Sequence, residues 1–341
     1  MTIVLKAENI TKRFPGVLAV DNVSMELRKG EVLALVGENG AGKSTLMQIL
    51  GGALKPDSGR LVIDGKEVIF NSPQDAIRAG VSMVFQELSL VKSLSVAENL
   101  FANRQPIGRF NNIKWRELYQ ETECFLRRFN LNIDPRCLVK HLPMGQQQIL
   151  EILKAISANP KILLLDEPTS SLTESEILYL FENIRRLQES GMSIIYITHK
   201  LSEIFQIANR VMVMRDGRYI GDRSIKEVTE NDLVCMMVGR QIVNLYGSTT
   251  CQFDGDEYFK VENLTRRGMF YNITFGLKPG EILGIAGLVG AKRTEVAQAI
   301  IGVLPKDTGR IILRGKNLRI NRPQDAIRER IAYLTEDRKE L

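Results

Sequence analysis

Histidine and cysteine are scarce in this sequence of 341 residues, which contains two histidines and four cysteines. The cysteines show no Cys-x-x-Cys spacing and form no zinc-site pattern with the histidines; they are Cys124, Cys137, Cys235 and Cys251. Neither a zinc site nor a disulfide framework is therefore predicted. We expect reduced thiols with a structural role.

Long apolar runs are also missing, since runs such as "ILLL" from Ile162 fall well short of the ~18 residues that a membrane span needs. The N-terminus lacks the basic start and apolar core of a secretion signal. The sequence thus predicts a chain that stays in the cytoplasm. Its net charge is +6, but the basic residues come as scattered pairs and not as a stripe, so we expect no nucleic-acid partner.

The sequence repeats itself at an offset of 250 residues. "GEVLALVGENGAGKST" from Gly30 resembles "GEILGIAGLVGAKRTE" from Gly280, and "PQDAIR" at Pro73 recurs unchanged at Pro323. Two similar domains in tandem are predicted. The first domain covers residues 1–240, a linker rich in Gly, Ser, Thr and Asp covers 241–256, and residues 257–341 form the N-terminal part of a second, degenerate copy.

Strands in the first copy are short continuous apolar runs, as in "EVLALVG", "KILLLDE" and "SIIYITH", and helical stretches follow them. This pattern predicts an α/β fold whose parallel sheet is covered on both faces. Between about residues 96 and 143 an inserted helical subdomain is predicted, with one stripe at helical spacing. The stripe comprises Trp115, Leu118, Thr122, Phe125 and Leu126.

A phosphate-binding loop is indicated by "GENGAGKST", which matches G-x-x-x-x-G-K-[ST] between a strand and a helix. The glycines let backbone N–H groups and the helix N-terminus face phosphates. Lys43 would reach the β- and γ-phosphates of ATP, and the Ser44 hydroxyl would ligate Mg²⁺. The predicted loop consists of Gly37, Glu38, Asn39, Gly40, Ala41, Gly42, Lys43, Ser44 and Thr45.

Two adjacent carboxylates end the apolar run "ILLLDEP". Asp166 is predicted to hold the Mg²⁺ shell. Glu167 is predicted to polarise the attacking water, because a carboxylate beside the metal ligand is well placed to accept a hydrogen bond from it. His199 and Gln86 are ordinary residues when taken alone.

Several motifs follow one another along the chain, in the order "TKRFPG", the phosphate loop, Gln86, "LPMGQQQ", "LLLDEP" and His199. With these motifs in this order, the whole chain resembles the ATP-binding cassette (ABC) ATPases. This resemblance implies a P-loop NTPase core with an antiparallel β subdomain. It also implies that Phe14 stacks on adenine, that Gln86 touches Mg²⁺ and couples to a membrane subunit, and that His199 contacts the γ-phosphate.

Within that family, "FPGVLAVDNVS", "VFQELSL" and the arginine in the second loop resemble the importers of ribose, galactose, xylose or related sugars. The resemblance implies two transmembrane permease subunits and an extracytoplasmic sugar-binding protein as partners. The ATPase subunit would then lie peripherally on the cytoplasmic face of the membrane, and the surface between Gln86 and Leu142 would receive the permease.

In this family each ATP lies between the phosphate loop of one domain and the signature segment of the other. The second loop carries Lys292 and Arg293 in place of the last glycine and the lysine, and the first signature carries Pro143 and Met144 in place of Ser and Gly. Arginine cannot simply take over the role of the loop lysine. One composite site is therefore predicted to be non-hydrolytic.

The other composite site has an intact loop, but its signature must come from the second domain, and the chain reaches its end soon after Glu336. We expect a truncated gene and a parallel sheet left unfinished in the second copy. Whether a homodimer partner lends the missing signature stays open. Thr173 replaces the aspartate that the family carries after the acidic strand. Two alternatives stay open: a nucleotide-binding remnant without turnover, and a soluble tandem ATPase that acts on ribosomes or nucleic acid.

Overall fold

The computed structural model describes residues 2–85, 88–170, 172–239, 256–287 and 290–335. They belong to two compact units, Met1–Val243 and Asn244–Leu341. The predicted linker lies outside the described residues except for Asp256. The predicted boundaries at residues 240 and 257 stay predictions.

A six-stranded sheet forms the centre of the first unit, in the order β10-β9-β3-β8-β7-β6. Its strands are β3 (Val32–Val36), β6 (Val81–Val84), β7 (Ile162–Asp166), β8 (Ser193–Ile197), β9 (Arg210–Arg215) and β10 (Arg218–Ser224). Neighbours run parallel except β10, which is antiparallel to β9. Every residue of β3, β7 and β8 is buried, so these strands are covered by other elements on both faces of the sheet. The predicted α/β class with a parallel-sheet core is confirmed.

An antiparallel sheet packs beside this core in the order β2-β1-β4-β5. Its strands are β1 (Ile3–Phe14), β2 (Val17–Arg28), β4 (Ser58–Ile63) and β5 (Lys66–Val68). One hydrophobic cluster joins the inner face of this sheet to β3 and to the helix after it, through residues such as Leu27, Leu35 and Leu46. The predicted antiparallel β subdomain is thus confirmed.

Helices of the first unit are α1 (Lys43–Leu50), α2 (Pro73–Arg78), α3 (Val96–Leu100), α4 (Trp115–Arg128), α5 (Met144–Ile156), α6 (Glu174–Glu189), α7 (Leu201–Ile207) and α8 (Glu230–Val238). In the predicted helical insertion, α4 buries Leu118, Thr122 and Leu126. Trp115, predicted to share their stripe, is the first residue of α4 and is 44% exposed. None of the helices in the described ranges is both long and apolar enough to span a bilayer.

The second unit has its own antiparallel sheet, ordered β12-β11-β13-β14. Its elements are β11 (Phe259–Arg266), β12 (Phe270–Leu277), α9 (Arg293–Ile300), β13 (Thr308–Leu313), β14 (Lys316–Leu318) and α10 (Pro323–Arg328). The pairing of Phe259 with Leu313 corresponds to that of Leu5 with Ile63 in the first unit. The two antiparallel sheets therefore share strand order and register.

The segment that corresponds to β3 in the second unit, residues 281–287, is not a strand. Ile282 is 94% exposed, whereas Val32 at the corresponding position is fully buried. Val32 lies in a strand that is hydrogen-bonded to β8 on one side and β9 on the other. Within residues 256–287 and 290–335, no parallel strands exist to pair with the segment in this way.

Candidate functional site

Parallel strands bring the phosphate loop, Asp166, Glu167 and His199 to one edge of the sheet. The phosphate loop follows β3, Asp166 ends β7, and His199 comes two residues after the end of β8. β8 lies between β3 and β7, and the Glu167 N–H donates a hydrogen bond to the Ile197 carbonyl at 3.0 Å. The carboxyl ends of these strands therefore form a common edge, which is where ligands bind in open α/β sheets.

Backbone conformation explains two glycines of the loop. Gly40 and Gly42 have φ values of 85° and 91°, in the left-handed region that favours glycine. A Cβ at Gly42 would lie 2.1 Å from the Ala19 carbonyl oxygen, whereas a Cβ at Gly40 would meet nothing within 4 Å. Gly42 is thus required by its close contact with the Ala19 backbone, whereas Gly40 is favoured by its backbone conformation alone.

Replacing Gly42 with alanine is expected to destabilise the first unit by more than about 2 kcal/mol, because strain in the left-handed region adds to displacement of the Ala19 carbonyl. Gly40→Ala is the matched control and should cost only the strain, ~1–2 kcal/mol. Urea unfolding of both variants measures the difference. Equal unfolding midpoints would show that the contact with Ala19 is not what selects glycine.

Lys43 begins α1 and points back over the loop. Its Nζ donates hydrogen bonds to the carbonyl oxygens of Gly37 and Glu38, each at 2.9 Å, and the residue is only 8% exposed. Burial lowers the pKa of this ammonium, and the charges of Glu167 and Asp166 act in the opposite direction. A buried cation is thereby held at the start of a helix, where an anion is also favoured by free backbone N–H groups.

Oxygen ligands for a divalent cation lie beside the lysine. The Ser44 hydroxyl is hydrogen-bonded to the Asp166 carboxylate. Burial raises the pKa of Asp166, and this hydrogen bond opposes the rise. A bound cation would favour the ionised carboxylate, and Mg²⁺ binds through one or two protein oxygens plus phosphates and water. The two side chains therefore fit the predicted metal role.

Glu167 and His199 are in contact at the end of the sheet. Oε1 of Glu167 lies 3.4 Å from Nδ1 of His199, and the glutamate side chain is the more buried of the two. Glu167 has a φ of 48°, a left-handed conformation that is uncommon for a residue other than glycine. Such strain occurs mostly where a side chain must be aimed at a site.

Phe14 ends β1 in the hairpin with β2, and its ring is 38% exposed. The next strand contributes Ala19, whose carbonyl lies against Gly42, so this hairpin adjoins the phosphate loop. The Lys12 ammonium lies 5.9 Å from the centre of the Phe14 ring. Gln86, the remaining predicted site residue, lies outside the described residues.

The predicted signature segment surrounds the start of α5. Pro143 occupies the N-cap position with φ −55°, where its missing N–H breaks no helical hydrogen bond. A Cβ at Gly145 would lie 2.0 Å from a carboxylate oxygen of Glu176, so a side chain at this position would have to displace the end of that glutamate in α6. Thr173, at the position where the family carries aspartate, is the N-cap of α6 and receives a capping box from Glu176.

The second loop has a different internal arrangement. Lys292, at the position of Gly42, has φ 64° and is the N-cap of α9. Its Nζ lies 2.9 Å from Oε1 of Glu295, and this contact is the main reason why the pKa of Glu295 is lowered. The Arg293 side chain passes beside Gly287. An ion pair within the loop therefore engages the cation at the position where the first loop has glycine.

A buried carboxylate near the candidate site is not among the residues predicted from the sequence. Glu203, in α7, is almost fully buried and accepts hydrogen bonds from the hydroxyls of Thr169, Tyr196 and Thr198. The signal for it in the sequence was an acid inside the apolar helix "LSEIFQI". An isolated acid in a short helix is normally solvent-exposed, so this signal carries little weight without the fold.

The sequence is similar to that of known proteins. The sequence model of the family described as "ABC transporter" matches residues 20–170 and 270–341. The chain is 47% identical over 336 residues to the ribose import ATP-binding protein RbsA of Caldanaerobacter subterraneus subsp. tengcongensis, a match that covers 98% of this chain and 68% of that protein. It spans about two thirds of the length of the curated relatives that it matches.

Solved structures resemble the chain as well. The crystal structure of an ATP-binding cassette of an ABC transporter in its ADP conformation aligns with a TM-score of 0.60 at 27% identity, covering 70% of this chain and 100% of that one. CbiO1 from Clostridium perfringens, part of the ABC transporter complex cbiONQ, aligns with a TM-score of 0.59 at 28% identity, covering 70% of this chain and 95% of that one.

Proposed function

Because this chain belongs to the ABC transporter family, we propose that it is the ATP-binding and ATP-hydrolysing subunit of a sugar importer. The observation that carries the proposal is the convergence of Lys43, Asp166 and Glu167 at one edge of the parallel sheet, beside the loop that they would serve. Burial makes the charges of these residues act on one another more strongly than they would in water.

In this proposal the loop N–H groups and Lys43 hold the phosphates of ATP. Ser44 and Asp166 hold Mg²⁺, which when bound neutralises phosphate charge and polarises the γ-phosphoryl group. Phe14 stacks on the adenine, since its ring is exposed on the hairpin that adjoins the loop. Gln86 is proposed as a further contact to the metal site on the family resemblance alone.

Glu167 acts in the proposed reaction as the group that orients the attacking water and accepts a hydrogen bond from it. His199 contacts the γ-phosphate in this proposal, and its Nδ1 lies 3.4 Å from Oε1 of Glu167. This contact would help to keep both side chains oriented toward the reacting groups.

The second loop belongs in this proposal to a site that does not hydrolyse ATP. Lys292 is paired with Glu295 inside the loop, and an arginine follows it where the first loop has its lysine. The partner segment has lost a serine hydroxyl to Pro143, and a hydrogen bond to a charged phosphate is worth ~1.5–3 kcal/mol. In this proposal, a second copy of the chain supplies the segment that faces the first loop.

The names of the relatives support a role in sugar uptake, and the permease and binding-protein partners are proposed from the family resemblance. A ribose import ATP-binding protein is 47% identical to this chain. We therefore propose a role in uptake of ribose or a related sugar, at the cytoplasmic face of the membrane, together with two permease subunits and an extracytoplasmic sugar-binding protein.

Two measurements test the proposal. Purified chain should hydrolyse ATP in the presence of Mg²⁺, and it should be retained by immobilised permease from the neighbouring gene. ATP binding without turnover would favour the alternative of a nucleotide-binding remnant. Failure of a correctly folded chain to bind the permease would contradict the transport role.

A further inference from the structure

Glu203 is a charged residue in the core of the first unit. It is the third residue of α7 and is 3% exposed, although carboxylates are almost never so deeply buried without partners. Three hydroxyl groups donate to it: Thr169 Oγ1 at 2.7 Å, Tyr196 OH at 2.8 Å and Thr198 Oγ1 at 2.9 Å. The Lys200 ammonium is 3.4 Å away. The three residues that donate these hydroxyl hydrogen bonds are also buried.

These donors come from both segments that carry the candidate catalytic pair. Thr169 lies two residues after Glu167, whereas Thr198 immediately precedes His199. The hydroxyl of Thr198 also accepts a hydrogen bond from the Lys200 N–H at 3.0 Å, which closes a turn around His199. One oxygen of the Glu203 carboxylate receives Thr169, and the other receives Tyr196 and Thr198.

We propose that Glu203 is a positioning residue: its carboxylate ties the segment that carries Glu167 to the turn that carries His199, and thereby maintains the contact between those two side chains. The hydrogen bonds of Glu203 are observed in the structure, whereas their importance for catalysis rests on the proposed function. Among the described residues, the side-chain hydrogen bonds and the ion pair of Glu203 are with Thr169, Tyr196, Thr198 and Lys200, and none of these residues belongs to the phosphate loop.

Packing alone does not account for this arrangement. A buried carboxylate and three buried hydroxyls are costly to desolvate, and apolar residues of similar size would fill the same space without that cost. Hydrogen bonds differ from apolar packing in fixing direction as well as distance. Burial and the Glu203 charge also raise the pKa of Tyr196, which therefore stays protonated as a donor.

The test uses nuclear magnetic resonance of the histidine rings, because the chain has only His141 and His199. The two signals are assigned with the variant His141→Gln. The His199 signal is then compared in wild type, Glu203→Gln, Glu167→Gln and the double variant. If Glu203 acts by holding Glu167 against His199, the displacement caused by Glu203→Gln should fall to about half or less once Glu167 has been replaced.

Glu31→Gln is the matched control, because Glu31 is also buried but pairs with Arg210 and lies just before the start of β3. It should leave the His199 signal in place. An unchanged His199 signal in Glu203→Gln, or the same displacement with and without Glu167, would overturn the proposal. Should Glu203→Gln fail to fold, Tyr196→Phe takes its place, because it removes one hydrogen-bond donor to Glu203 with little change in packing. The His199 signal is then compared in Tyr196→Phe with and without Glu167→Gln.

Discussion

Replacing Lys43 with alanine is expected to weaken ATP binding about 100-fold, or ~2.7 kcal/mol, because a hydrogen-bonded cation facing the phosphates is lost. In the structure this ammonium is already held over the loop by the carbonyls of Gly37 and Glu38. It therefore needs little reorganisation to meet a phosphate. Equilibrium binding of a fluorescent ATP analogue measures the loss.

Lys292→Ala is the matched control for this prediction. Lys292 lies at the start of α9, as Lys43 lies at the start of α1, but its ammonium is paired with Glu295. Its removal should leave ATP binding to the first loop unchanged. Lys43→Arg should bind ATP poorly as well, since a planar guanidinium cannot adopt the position of a compact ammonium. Binding by Lys43→Ala within about threefold of wild type would refute the assignment.

Glu167→Gln is expected to lower ATP turnover by about 10²- to 10⁴-fold, the range over which a general base contributes. The amide keeps the volume of the side chain but removes the carboxylate that lies 3.4 Å from Nδ1 of His199. It cannot accept a proton at neutral pH. ATP binding should stay within about threefold of wild type, because the loop and Lys43 are untouched.

Steady-state hydrolysis and equilibrium binding, measured side by side, separate these two effects. Glu174→Gln serves as control, since Glu174 is an exposed acid in the first turn of α6. It should alter neither quantity. Turnover that persists in Glu167→Gln at the wild-type rate would show that another group orients the water, and a parallel loss of binding would show that Glu167 supports the loop instead.

Much of the candidate site could be predicted because its chemistry is local in sequence. The phosphate loop needs a strand, a turn rich in glycine and a helix in direct succession, and all of these lie within Val32 to Leu50. Asp166 and Glu167 follow an apolar run long enough to identify a buried strand. Contiguous segments of this kind carry their own geometry, so their residue types and spacing are sufficient evidence.

Contacts between distant segments were not predictable in this way. The sequence gives no indication that Lys292 pairs with Glu295 rather than facing a ligand, or that Trp115 begins its helix outside the buried stripe. A side chain at helical spacing is buried only if another element covers it, and that depends on packing. The same holds for residues 281–287, whose apolar character did not make them a strand.

Local residue order therefore sufficed to predict the fold class, which is confirmed, and to nominate the phosphate loop and the two carboxylates as site residues, because each of these predictions depends on short-range periodicity and turn chemistry. The three-dimensional arrangement alone brought His199 within 3.4 Å of Glu167 and placed Glu203 among three hydroxyls from two strand ends. The physical reason is that parallel strands distant in sequence finish at one edge of a sheet, where hydrogen bonds form between residues that no sequence pattern relates.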